Sequence, residues 1–318
     1  MSDLLRRRAP NAVVQDGKEQ PVTRIGRRTP ARISIVAAML AVVPLCLSAT
    51  CAAQDPALRQ DVIYGHAGDA DLKLDLAVPA AGSGPFPIIV FIHGGGWSAG
   101  SKAQYDQAIV GSAGQGYVAA SIDYRFAPRF PFPAQIEDAK CAVRYLRAHA
   151  KELDADPTRI AAVGDSAGGH LALLLGLMDA QDGLEGGGGW PEQPSKVQVV
   201  VNYYGPADLR TIKEDNPAVV DLVAGLLGTA DLHSAIAAQA SPLVYIDSHD
   251  APVLTLHGAK DTLVPLDQSR RLHDALKLAG VEEHLEVFAD AGHGFGGQDA
   301  ERALLLTREF LDRHLKPR

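Results

Sequence analysis

RIAAVGDSAGGHLALLLG, residues 159–176, holds two apolar runs, Ile160–Val163 and Leu171–Leu175, separated by Gly164-Asp165-Ser166-Ala167-Gly168-Gly169. The first run has the length of a buried strand and the second begins an apolar helix. An ordinary loop would be longer and more polar than this insert of small residues, so the segment reads as a tight strand-to-helix turn. Gly164-x-Ser166-x-Gly168 in that setting has the form of a nucleophile elbow. Side chains at 164 or 168 would strike backbone, the turn lifts the serine hydroxyl above the sheet edge, and the helix start behind it offers N–H donors and a positive dipole end. The plainer alternative is a glycine-softened loop with an N-capping serine.

Around this turn, strand and helix patterns alternate. Residues 85–93 (PFPIIVFIH), 117–123 (YVAASID), 160–164, 197–204 (VQVVVNYY), 252–258 (PVLTLHG) and 284–290 (HLEVFAD) read as strands, several near-continuous in Ile and Val. Helices are expected over 134–150, from Ala167 to about Met178, over 268–279 and over 299–314. The alternation predicts an α/β domain with a mostly parallel sheet covered on both faces. Residues 59–79 alternate in polarity and suit two antiparallel strands at the N-terminal edge. Residues 182–195, with Gly186–Gly189 in a row, read as a mobile surface loop. Residues 206–245 read as an insertion after a strand, near the mouth of a site at the carboxyl ends of the strands.

The first 53 residues read differently. Residues 1–32 hold eight Arg or Lys, Ile33–Cys51 is uncharged, and small residues lead to Ala52-Ala53. That order is a basic segment followed by a secretory signal peptide, with cleavage near Ala53 and export to the periplasm or the outside. The apolar stretch is borderline for crossing a bilayer and contains Pro44, so no stable membrane span is expected after processing. The mature part, 54–318, is expected to be one catalytic-sized domain. It carries 22 basic against 35 acidic residues, a balance that repels phosphate backbones and speaks against a nucleic-acid partner. Its one cysteine, Cys141, cannot close an internal disulfide, and no metal-ligand spacing is present.

A serine hydroxyl needs a base, and the expected chain order is serine, acid, histidine. His293 lies in Ala291-Gly292-His293-Gly294-Phe295, a glycine-flanked loop after the last strand, and is the expected base; His93 and His257, at strand ends, are its competitors. Asp261, after the strand PVLTLHG, is the expected acid, with Asp267 in reserve. His93-Gly94-Gly95-Gly96-Trp97 follows a strand, and consecutive glycines there expose N–H groups to an oxyanion. Gly94, Gly95 and Ala167 are the expected oxyanion-hole donors. Trp97 and Tyr124, with Phe126 and Phe295, are candidates either for pocket walls or for core. Two phosphate-binding patterns fail on inspection: Ser101 stands at the lysine position of a P-loop match, and Gly114-Gln115-Gly116 precedes its strand instead of following one.

HGGGW at 93–97, Asp123-Tyr124-Arg125, Phe132–Asp138 and GDSAGGHLA from Gly164 onward, in this order, resemble the α/β-hydrolase carboxylesterases. The chain is most similar to the bacterial hormone-sensitive-lipase-like esterases, and within them to the bifunctional feruloyl and acetyl-xylan esterase-like group, over roughly residues 60–315. The resemblance implies an α/β-hydrolase fold, hydrolysis of small-molecule or polymeric carboxylic esters without a cofactor, and a triad of Ser166, Asp261 and His293. Two departures stand out. Only 39 residues, 54–92, precede His93 in the mature part, leaving no room for a helical cap ahead of the HGGG loop, and the acid lies in G-A-K-D-T-L-V-P. Both lead to the expectation of little or no cap domain and a site open to bulky esters. A serine peptidase of prolyl-oligopeptidase type, which shares the H-G-x-x-D-x-x-V-P strand end, and a non-catalytic binding protein on a hydrolase fold are the alternatives. Oligomeric state is not legible in the sequence.

Overall fold

A computed structural model describes residues 56–212 and 216–317. The basic segment and signal-peptide reading of residues 1–53 lies outside the described residues. Among those described, eight strands form a single sheet in the order β1-β2-β4-β3-β5-β6-β7-β8. β1 (Leu58–Ala67) and β2 (Ala70–Ala77) form an antiparallel hairpin, and β2 meets β4 (Val118–Ile122) antiparallel. From β4 onward every pairing is parallel, through β3 (Phe86–Ile92), β5 (Ala155–Asp165), β6 (Val199–Tyr203), β7 (Val253–Gly258) and β8 (Glu283–Phe288).

The central strands are buried on both faces, which is why they read as continuous apolar runs and not as alternating ones. Side chains still alternate in destination. Ile88, Val90 and Ile92 of β3 join one core, together with Ile160 and Ala162 of β5. Ile89, Phe91, Ala161 and Val163 join the other. The first core is closed by α2 (Ala134–Ala148) and α3 (Ala167–Leu177), the second by α1 (Asp106–Gly114) and α7 (Gly297–Leu315). Helix α3 is buried along its whole length, matching a sequence that is apolar on every side.

The expected elements are present with shifted ends. β5 begins five residues before its apolar core, at Ala155, because Ala155 pairs with Phe86 across a register shift. Helix α1 was not legible: DQAIVGSAG has two glycines and no clear apolar stripe, and only the need to cross over between parallel β3 and β4 calls for it. Residues 206–245 supply α4 (Pro217–Leu227) and the short α5 (Ala235–Gln239), as an insertion between β6 and β7.

Residues 182–195 correct the expectation of a mobile loop. Glu185 takes hydrogen bonds from Lys140 Nζ and Arg144 Nη1, both at 2.8 Å. Arg144 Nε also donates to Gly189 O at 3.0 Å, Trp190 Nε1 to Tyr64 O at 2.9 Å, and His66 N–H to Gly188 O at 3.0 Å. Two of the glycines serve contact: a side chain at Gly186 would meet Glu137, and one at Gly188 the Cys141 sulfur, 2.9 Å away. Lys140 and Arg144 are buried while Glu185 is part-exposed, so truncating Glu185 strands two cations. Glu185→Ala is expected to cost about 2–3 kcal/mol, read as a lowered denaturant midpoint, and to raise amide exchange over residues 186–190.

Candidate active site

Strand β3 is flanked by β4 on one side and β5 on the other, so the chain reverses its direction of sheet growth there. Ligands of open α/β sheets bind at the carboxyl ends of strands beside such a switch point. The loops after β3, β5, β7 and β8 all open at that end, and they carry the HGGGW glycines, Ser166, Asp261 and His293.

Ser166 sits at φ 52° and ψ −117°, a left-handed conformation that a non-glycine residue avoids. Three glycines make the turn possible. A Cβ on Gly164 would overlap Gly168 O, and one on Gly168 would overlap Ile92 O, so β3, β5 and α3 approach one another too closely for any side chain. Gly169 lies against Asn202 and Tyr203 of β6 in the same way. The turn is held by Ser166 N–H donating to Tyr203 O at 2.8 Å and His170 N–H to Ser166 O at 3.0 Å.

Ser166 Oγ lies 2.8 Å from His293 Nε2, and His293 Nδ1 lies 2.7 Å from Asp261 Oδ2. A carboxylate only accepts, so Nδ1 carries the proton and Nε2 is free to accept from the serine hydroxyl. Residues 127 and 32 positions apart in sequence thus form one relay. Asp261 Oδ1 accepts from Leu263 N–H at 2.8 Å and Val264 N–H at 2.9 Å. Burial alone would raise its pKa; hydrogen bonds from His257 and His293 and the Val264 amide outweigh that and hold the carboxyl well below the usual carboxylate range. Asp267, the reserve acid, instead opens helix α6 (Asp267–Ala279).

The competing histidines have other partners. His257 is buried, with Nε2 2.8 Å from Val264 O and Nδ1 2.6 Å from Ser269 Oγ. Its Nε2 also lies 3.3 Å from Asp261 Oδ2, so it supports the acid. His93 is buried, stacked on the Tyr124 ring at 4.5 Å, and donates from Nδ1 to Gly94 O at 2.7 Å.

The glycine loop corrects one expected donor. Gly94 N–H is already committed to Asp165 Oδ1 at 3.0 Å. Gly95 and Gly96, with Ala167, line the cavity at Ser166, and among the described residues their N–H groups have no protein acceptor outside helices and strands. Peptide planarity explains the aim of these groups. In a trans peptide the C=O and the next N–H point opposite ways, so a clamp on the carbonyl orients the following amide. His93 Nδ1 clamps Gly94 O and thereby orients Gly95 N–H; the Ser98 and Ala99 amides clamp Gly95 O, at 3.2 and 3.1 Å, and orient Gly96 N–H. The cavity-facing amides without such an acceptor are therefore those of Gly95, Gly96 and Ala167, and the Gly94 amide is not among them. Consecutive glycines mark the loop in the sequence but do not say which amide has been spent.

Tyr124 requires a second correction. It is buried, its hydroxyl donates to His93 O at 3.0 Å, and it does not line the cavity at Ser166. It supports the loop from behind. Phe126, edge-on to Tyr124, and Phe295, packed on Phe288, also fall outside that cavity. Trp97 does form a wall. The cavity, about 310 Å³, is completed by aliphatic residues that the sequence did not single out: Ile212, Val219, Leu222 and Val223 of the insertion, and Leu263 and Val264 beside the acid. Leu222 rests over Gly96, where an added Cβ would lie 2.9 Å from its methyl carbons. Among the described residues no separate cap domain stands over the site, but α4 covers one side of it.

A model of the BD-FAE family matches residues 74–276, more than half of the sequence. The chain belongs to the BD-FAE family. The matched part holds the glycine loop, Ser166 and Asp261, and it ends before His293. Esterase LipC of Mycobacterium tuberculosis is 35% identical over 227 residues, covering 69% of this chain and 55% of LipC. The BD-FAE chain thus spans about half the length of the curated relatives it matches. Est2, a thermophilic esterase of Thermogutta terrifontis solved with propionate bound, superposes with a TM-score of 0.68 at 30% identity, covering 83% of this chain and 97% of that one. The same esterase has been solved phosphorylated by paraoxon. A truncated carbohydrate esterase from gut microbiota superposes with a TM-score of 0.69 at 26% identity, covering 80% and 96% of the two chains. These relatives place the fold among the α/β-hydrolase carboxylesterases.

Behind the Trp97 wall lies a histidine of helix α3, His170. His170 is fully buried; its Nδ1 is 3.2 Å from Trp97 Nε1 and its Nε2 is 2.7 Å from Ala240 O. Indole N–H only donates and a carbonyl only accepts, so the ring is neutral with the proton on Nε2. Burial pushes its pKa from 6.5 down to about 4, against the opposing pull of the Ala240 carbonyl. Below pH 6.5 the unfolded chain takes up a proton that the folded one refuses, so stability falls as the pH drops toward 4. The loss expected from this group is roughly 3 kcal/mol. Urea unfolding of the wild type and of His170→Gln at a series of pH values between 4 and 6.5 is expected to show a flatter profile for the variant.

Proposed function

We propose that this BD-FAE chain hydrolyses carboxylic esters through an acyl-enzyme on Ser166. The observation that carries the reading is the unbroken relay from Asp261 through His293 to a strained serine hydroxyl at the floor of an apolar cavity. His293 Nε2 takes the Ser166 proton as Oγ attacks the ester carbonyl. The resulting oxyanion is held by the N–H groups of Gly95, Gly96 and Ala167, donors whose orientation is fixed before the substrate arrives. The imidazolium, steadied by the Asp261 carboxylate, then protonates the departing alcohol. A water molecule activated by the same imidazole attacks the acyl-enzyme and returns the serine.

Family membership and the named esterase relatives support ester chemistry over peptide cleavage; the prolyl-oligopeptidase alternative rests on the 257–265 segment alone. Ser166→Ala is expected to lower turnover of para-nitrophenyl acetate by at least 10³-fold, and a fluorophosphonate is expected to label the wild type at Ser166 and leave the variant unlabelled. Retained turnover in the variant would remove the assignment.

The finer reading concerns the substrate. A cavity of about 310 Å³ with mostly aliphatic walls, in which Asp165 is the one carboxylate, suits a short apolar acyl group. Sugar-borne acetyl or feruloyl esters fit the same site when the alcohol side extends past the exposed Leu222 and Leu263 at the rim. Leu222 is 39% exposed, so shortening it is expected to change stability by less than about 1 kcal/mol. Across para-nitrophenyl esters from acetate to octanoate, kcat/KM is expected to peak at C2–C4 in the wild type. Leu222→Ala moves the peak to longer chains and Leu222→Trp sharpens the preference for acetate. Acetylated xylan, methyl ferulate and a proline anilide complete the panel.

A further inference from the structure

Asp165, the residue immediately before the nucleophile, has no part in the relay above, yet two separate elements converge on one of its oxygens. Oδ1 accepts from Gly94 N–H at 3.0 Å and from the Tyr105 hydroxyl at 2.7 Å. Oδ2 lies close against the Gly94 Cα, where an added Cβ would overlap the carboxylate. The Tyr105 ring is held in turn against Phe91 of β3, centroid to centroid 5.1 Å. From this geometry we infer that Asp165, buttressed by Tyr105, is a positioning residue that locks the oxyanion loop onto the nucleophile turn. The inference rests on the ester-hydrolase reading of the site.

The peptide chain explains why one carboxylate suffices. Asp165 is covalently next to Ser166, so its Cα moves with the serine. By holding Gly94 N–H it fixes the first peptide of the glycine loop relative to that turn; Tyr124 holds the carbonyl of the same peptide at His93 O. The next two peptides are then aimed by their own carbonyl clamps, His93 Nδ1 on Gly94 O and the Ser98 and Ala99 amides on Gly95 O. These clamps are internal to residues 93–99 and set the loop's shape. Asp165 from β5 and the Tyr124 bond from the β4 side set its placement over Ser166.

Electrostatics point to a positional role. A carboxylate one residue from the serine repels a developing oxyanion, so its charge opposes the reaction and its value must come from geometry. An acceptor of the same shape without the charge should therefore serve. Tyr105 is suited to be a permanent donor: burial, then the neighbouring Asp165 charge, push its hydroxyl well above the ordinary tyrosine range, so it stays protonated. Misplacing oxyanion donors costs rate in the transition state and leaves ground-state binding nearly untouched.

The test uses the full chain and compares wild type, Asp165→Ala, Asp165→Asn and Tyr105→Phe. The readouts are kcat and KM for para-nitrophenyl butyrate, Ki for an aliphatic trifluoromethyl ketone, Ki for its non-fluorinated parent ketone, and melting temperature. The fluorinated ketone forms a tetrahedral adduct on serine whose oxyanion needs the hole; the parent reports ground-state binding. Asp165→Ala is expected to lose roughly 30- to 300-fold in kcat with KM within threefold, and to lose trifluoromethyl ketone affinity by a similar factor while the parent ketone is unaffected. Asp165→Asn, whose amide oxygen still accepts from Gly94, is expected to stay within fivefold of wild type. Tyr105→Phe is expected to lose three- to tenfold in kcat and in trifluoromethyl ketone affinity at unchanged KM. A kcat for Asp165→Ala within threefold of wild type, or an equal loss in Asp165→Asn, overturns the inference while ester hydrolysis stands. If Asp165→Ala does not fold, an unchanged kcat in Tyr105→Phe overturns it. A wild type that neither turns over esters nor reacts with a fluorophosphonate overturns the inference together with the reading beneath it.

Discussion

The approach of Gly168 to the Ile92 carbonyl is the constraint on which the site depends. It brings the start of α3 against the end of β3, so the serine turn and the glycine loop share one small volume. No side chain fits between them, and Ser166 must take a left-handed backbone to complete the turn. Such a conformation costs of order 1–3 kcal/mol and persists only when its surroundings over-determine it. Here they do: β5 pairs with β3 on one side and β6 on the other, and α3 is buried from end to end. The rigidity of the sheet is thereby converted into a fixed position for one hydroxyl group.

The rest of the site is added in layers of decreasing stiffness. The Asp261 loop is tied by its own amides and by buried His257, and its carboxylate in turn holds His293, from the loop after β8, beside the serine. The glycine loop is shaped by internal clamps. Much of the aliphatic wall comes from the 206–245 insertion, which is anchored at its base: Gln268 of α6 accepts from the Ala207 and Asp208 amides, at 3.0 and 2.7 Å. Ser166, Asp261 and His293 thus stand on loops at sheet ends, while Ile212, Val219, Leu222 and Val223, which wall one side of the cavity, stand on an insertion that can vary without disturbing them.

What could be read in advance follows the range of the forces involved. The strands and the elbow were legible because they are written locally, as apolar runs and as glycines at fixed spacing. Ser166, Asp261 and His293 could be singled out because strand ends in this fold have known order, although they are far apart in the chain. That the Gly94 amide is held by Asp165 could not be read in advance, because it is a contact between residues 71 apart that no local pattern encodes. Tyr124 was a candidate for wall or for core, and the choice turns on a hydrogen bond to His93 O that only packing reveals. The run Gly186–Gly189 looked like freedom because glycine permits it. In the fold it is closeness, since the glycines let the loop lie against Cys141 and the first strand. His170 carried no signal beyond its place on an apolar helix.

That same loop has a consequence for how copies of the chain meet. A sheet with open flanks invites another polypeptide to add itself as a further strand. On the β1 flank the His66 amide is already satisfied by Gly188 O, and Trp190 covers the neighbouring Tyr64 carbonyl. On the β8 flank, Glu283 and Glu286 are engaged by His273 and Arg302, placing charge where an incoming strand would lie. Both flanks are thereby made poor templates for an added strand.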